Sequence, residues 1–277
     1  MPDALEDTFN RSSFPVWLTL SIALVALIYV RGYLAIRKTR ALRFTGFQLA
    51  SFLSGLVVLW LALSPPMDAL ADAALSVHMV EHLLLMSVVP PLLLLGLPVV
   101  PLLRGLPMIF RRRLAGPLLR WPGLRAFGRW LVNAVVAWIA MNLTFLAWHI
   151  PSAYDFALRH EGWHAFEHLT FLVTATLFWW CVVRPWPAAA GYVGWGILIY
   201  LVAADVVNTV LSAFLAFLGR PVYSYYLDWA NPFGLSPLED QVLGAAIMWV
   251  IGSIAFLVPA VVITVQLLRP SRLMPEY

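Results

Sequence analysis

Cysteine is all but missing from this chain. Cys181 is the only one in 277 residues, which excludes intrachain disulfides and cysteine-rich zinc sites. Charge is scarce too: charged residues make up 12% of the chain, against roughly 25% in soluble domains. That excludes an ordinary water-soluble fold. The amino terminus lacks the basic stretch of a secretory signal, since residues 1–14 carry Asp3, Glu6 and Asp7 against a single Arg11, and no cleaved leader is expected. Basic residues are not spread over the chain but fall in short connecting segments, which argues against a nucleic-acid surface.

What is present in excess is apolar surface, at 62% of residues. Runs of about 20 apolar residues cross a bilayer as helices, and the sequence holds seven: 15–33, 45–63, 72–95, 130–149, 161–183, 192–218 and 238–268. Pro90 and Pro91 predict a kink in the third. Val99–Phe127, punctuated by Pro and Arg, reads as short interfacial helices, and the basic stretch Arg104–Arg129 as a contact with anionic lipid headgroups. With the amino terminus outside, fifteen of eighteen basic residues fall in inner segments, leaving only Arg11, Arg159 and Arg220 outside. The positive-inside rule therefore predicts an all-α, polytopic bundle with the amino terminus outside and the carboxy terminus inside. Residues 1–277 read as one integral membrane domain.

Within that layout one pattern recurs. His-x-x-Glu-His-Leu occurs at His78–Leu83 and again at His164–Leu169. Residues four apart share a helix face, so His78 and His82 form one pair and His160, His164 and His168 a three-rung stripe. At about 1.5 Å per residue, His168 lies roughly 12 Å deeper than His160. The sixth histidine, His149, ends the fourth span. All six thus lie towards the outer face, on three spans.

Imidazoles and carboxylates in a membrane helix are costly unless paired, protonated or bound to something. Metal binding is the reading that uses them all, and hydrogen bonding between helices is the plainer alternative. Imidazole suits copper, zinc and iron alike. Met79 and Met86, three before and four after His82, are candidate soft ligands for Cu(I), although apolar packing explains each equally well. Glu81 and Glu167 are placed to accept the free N–H of a ligating imidazole. His-x-x-Glu-His is also the inverzincin pattern of zinc hydrolases, and facing histidines can hold haem between helices. Asp205, with Asn208 near it in the sixth span, is a mid-membrane carboxylate of open role. Tyr223, Tyr225, Tyr226 and Trp229 read as an outer aromatic belt, and Cys181 as packing.

Four stretches in order resemble the CtaG family of cytochrome c oxidase assembly factors, the multi-span type found in Bacillus and many other bacteria. They are His78–Met86 with Pro90–Pro98, Trp148–Leu158, His164–Leu169 with Phe178–Trp180, and Asp240–Gly244 with Met248 and Trp249. The resemblance covers roughly residues 45–265. Ala245 stands where a second glycine is expected, and Cys181 follows Trp180 at a position that varies. The resemblance implies a non-enzymatic role in maturing a haem–copper oxidase at the bacterial cytoplasmic membrane. It also implies copper as the cargo, and oxidase subunits or other assembly factors as partners. The positions it carries over are His78, His82, His149, His164, His168 and Asp240.

Overall fold

The computed structural model describes residues 16–38, 43–65, 67–185, 194–228 and 230–268. Arg11, Arg40, Trp229, Arg269 and Arg272, which entered the charge and aromatic readings above, lie outside them. Among the described residues all regular structure is helical. In chain order the helices are α1 (Val16–Arg37), α2 (Gly46–Ala62), α3 (Met67–Ala73), α4 (Leu75–Leu95) and α5 (Val99–Gly105). Three short turns follow, Met108–Phe110, Arg111–Ala115 and Gly116–Arg120. Then come α6 (Pro122–Leu131), α7 (Ala134–Trp148), α8 (Pro151–Leu158), α9 (Glu161–Val183), α10 (Trp195–Phe217) and α11 (Pro237–Leu268).

Five of these helices, α1, α4, α9, α10 and α11, are each long and apolar enough to cross a membrane. The number reaches seven if α2 with α3, bent by 43°, and α6 with α7, bent by 63°, each count as one span. Large side chains such as Leu24, Leu27, Val210, Phe214, Val261 and Val262 are exposed on these helices, a surface suited to lipid rather than water.

The expected disturbance at Pro90 is an inserted π-helical turn, Leu84–Val88, ahead of the prolines. Proline has no N–H, so the Met86 carbonyl loses both its four-residue donor, Pro90, and its five-residue donor, Pro91. Trp179 of α9 replaces them, donating its indole N–H to Met86 O at 2.8 Å. A local defect in α4 thereby becomes a fixed link between α4 and α9.

Of the five long apolar helices, α4 and α9 are the most buried. α4 packs on α2, α9 and α11, while α7 packs on α9 and α10 on α11. The segment that follows α4 is bound more closely to protein than an interfacial segment need be. α5 lies against α1 where Gly32 and Gly105 let the two backbones touch, and a methyl group on Gly105 would overlap the Ile28 carbonyl. Tyr29 holds the same corner, donating its hydroxyl to Gly96 O at 2.6 Å. Gly105→Val is expected to lose about 1–3 kcal/mol of stability by overpacking. Gly128→Ala, whose added methyl meets open space, should cost nothing; thermal unfolding in detergent compares the two.

Candidate metal centre

The two repeats face each other. His78 lies beside His164, with ring centroids 5.1 Å apart, and His82 beside His168 at 5.5 Å. Matching positions pair in matching order, so α4 and α9 run parallel here and the motifs are related by a local two-fold along the helices. Each glutamate reaches across to the other helix. Glu167 Oε1 is 3.5 Å from His82 Nε2, and Glu81 Oε1 is 3.5 Å from His168 Nδ1. The carboxylates thus serve the opposite repeat rather than their own.

Two ligand sets emerge from this arrangement. His78, His82 and His168 offer donor atoms within 4.8 Å of one another, and so do His78, His164 and Glu167. His78 belongs to both. His149 stands at the edge, its ring 6.2 Å from that of His82. His149 Nδ1 lies 2.7 Å from Phe145 O; an N–H there leaves Nε2 as the lone pair.

A polar cap closes the site. Tyr226 donates its hydroxyl to Ala71 O at 3.0 Å, and its oxygen lies 3.2 Å from His78 Nδ1. Burial pushes the Tyr226 phenol well above its usual range, so it keeps its proton. The consistent assignment has His78 Nδ1–H donating to Tyr226, which leaves His78 Nε2 as acceptor. His82 Nε2 lies 2.7 Å from that atom and therefore carries the shared hydrogen. Tyr226 is positioned by Asp155, whose carboxylate accepts the backbone N–H groups of Ser224 and Tyr225, both at 3.1 Å. Tyr223 packs on Tyr154 with ring centroids 4.1 Å apart. Tyr223 and Tyr226 are therefore buried over the histidines and do not belong to an outer aromatic belt.

Other expected contributors lie elsewhere. His160 is exposed and precedes the first turn of α9 in an extended conformation (φ −138°), with Nδ1 2.7 Å from Phe156 O. The stripe breaks before reaching it. Met79 rests against Gly244 of α11, and Met86 lines a small deeper cavity with Met141, Asn142 and Asn208. Asp240 touches the α4 backbone instead of an imidazole. Its two oxygens accept Leu75 N–H at 2.7 Å and Ser76 N–H at 3.1 Å. It caps the amino end of α4 from 165 residues away, and so aims the helix that bears His78 and His82. Asp205 lies on α10, outside both ligand sets.

The chemistry of the site is set by what its polar atoms lack. All four carboxylate oxygens of Glu81 and Glu167, together with His82 Nδ1 and Nε2 of His149, His164 and His168, are buried without a hydrogen-bond partner. Both glutamates have 0% exposure. Native interiors leave few polar atoms so placed, and an ion is a standard reason. The donors are imidazole nitrogens and carboxylate oxygens, which suit a transition-metal cation.

The fold and site define a polytopic helical protein with a buried histidine–glutamate centre. Its family follows from sequence comparison: the model of the cytochrome c oxidase caa3 assembly factors (Caa3_CtaG) matches residues 27–270, and the chain belongs to that family. Similar curated proteins are uncharacterised proteins of Mycobacterium bovis and Mycobacterium tuberculosis, each 28% identical over 262 residues, and of Mycobacterium leprae, 26% identical over 258. The matches cover 90%, 90% and 85% of this chain but only 38%, 38% and 37% of those proteins, so the chain spans well under half of their length. No solved structure matches.

Removing the Asp240 cap tests the positioning described above. Asp240→Ala is expected to cost roughly 1–3 kcal/mol, read as a lower thermal midpoint with helix content retained. Asp240→Asn, which keeps one acceptor oxygen, should fall between.

Proposed function

We propose that this chain is a seven-span protein of the bacterial cytoplasmic membrane that holds copper for a haem–copper oxidase during its assembly. The reading rests chiefly on one observation: two fully buried glutamates and the facing histidines present eight polar atoms with no hydrogen-bond partner. A carboxylate in an apolar bundle has to be protonated or neutralised by a cation. Membership in the oxidase assembly family favours copper among the cations that imidazole accepts. Basic residues concentrated between α4 and α7 support an orientation with the histidine end outside. The partners in this reading are oxidase subunits or other assembly factors, with lipid around the bundle, and the role is carriage rather than catalysis.

His78, His82, His164 and His168 are the ligands in this reading, with His149 adjacent. Glu167 is either a ligand or the carboxylate that orients His82, whose Nε2 lies 3.5 Å away. Glu81 neutralises and orients His168.

Metal analysis and an absorption spectrum on the purified protein test the proposal. Under reducing conditions the wild type should carry copper at a stoichiometric level and lack a Soret band. The His82→Ala/His168→Ala double variant should lose it. Glu81→Gln and Glu167→Gln, which keep side-chain volume, should weaken affinity roughly 10–100-fold. A copper-free wild type would overturn the reading, a Soret band would favour haem, and peptide hydrolysis lost in either glutamine variant with metal retained would favour a zinc hydrolase.

A further inference from the structure

A cavity of about 500 Å³ opens beside the histidine–glutamate centre, between α3, α4 and α9. Its polar lining is graded. Asp72 and Glu161 are exposed, Asp68 and His164 are half-buried, and His168 is 6% exposed. Leu63, Leu85, Ala165, Leu169 and Leu172 complete the walls, and no Lys or Arg is among the lining residues. Arg159, close in sequence, is engaged by Asp228 at 3.1 Å. Three carboxylates therefore share a pocket with no counter-charge of its own.

Acidic residues at a rim often do no more than solvate a loop. Here the same cavity is also lined by His168, almost wholly buried, and Nε2 of both His168 and His164 lacks a hydrogen-bond partner. His164 belongs to the ligand set with His78 and Glu167, and His168 to the set with His78 and His82. One residue from each set thus lines the cavity, while His78 joins the two sets at the interior.

We infer that this cavity is the loading passage of the site, through which a transition-metal cation enters past Asp68, Asp72 and Glu161 and is received by His164. The inference rests on the proposed metal-holding role. Low-dielectric walls around charge of one sign focus the field and raise the local concentration of the opposite ion, which accelerates association by about 10–10³-fold. The acidic residues act before capture, on rate. The imidazoles act after it, on affinity. His164, half-buried where His78 and His82 are buried, is the first ligand an entering ion meets, and His78 then offers the route to the inner set.

This division of labour has a kinetic signature. The full-length protein in detergent is mixed with Cu(I) supplied by a weak chelator, and uptake is followed at low and high salt. The Asp68→Asn/Asp72→Asn/Glu161→Gln variant should load at least 10-fold more slowly at low salt and lose most of the salt dependence, with the bound amount at equilibrium unchanged. Ala165→Trp, which fills the lining without altering charge, should load slowly at every salt concentration. Wild-type rates in both variants with full occupancy would overturn the passage and leave the metal-holding role standing. A wild type that takes up no copper would overturn that role and the passage with it.

Discussion

An ionised carboxylate in an apolar bundle has to find its compensation inside the protein, because no solvent reaches it. Glu81 and Glu167 have no exposed surface, and none of their four oxygens accepts a hydrogen bond. Each has one imidazole at 3.5 Å. A buried ion pair offsets its desolvation only when further hydrogen bonds satisfy the remaining lone pairs. The two His–Glu contacts fall short of that, and the shortfall is the same on both helices. The local two-fold thus concentrates unmet carboxylate and imidazole lone pairs at a common point, where one cation can answer several of them.

Much of the surrounding structure serves to hold that point. Three long-range hydrogen-bond groups do so, each satisfying backbone atoms that local structure leaves open. Asp240 takes the first N–H groups of α4, and Trp179 takes the carbonyl that two prolines abandon. Asp155 takes the N–H groups of the turn carrying Tyr226, which in turn sets the tautomer of His78. Backbone atoms move little once their helices are packed, so imidazoles fixed by such contacts are preorganised for a ligand.

Met79 and Met86, the candidate soft donors, each have a packing contact of their own. Met79 turns towards α11, and Met86 lies deeper with Met141. The histidine and glutamate donors that converge are nitrogen and oxygen, a set that copper shares with zinc and iron. What favours copper is membership in the oxidase assembly family. That kinship concerns the membrane bundle, since the match covers most of this chain and 38% or less of the mycobacterial proteins.

Sequence alone determined the long apolar helices and the spacing of the histidines within each repeat, because both are local properties. Apolar runs of membrane length placed α1, α4, α9, α10 and α11 within a few residues of their ends, and spacing of four put His78 with His82 and His164 with His168. Tertiary structure decided which residues converge. His160 has the same spacing as its neighbours, yet it sits before the first helical turn, where the periodic face does not extend. Tyr226 and Asp240 are separated from their partners by 148 and 165 residues, and local spacing carries no signal across such distances. The crossing of each glutamate to the opposite repeat depends on two helices lying parallel and in register. That register is set by interhelical packing and by the cap on α4, neither of which a single hexapeptide contains.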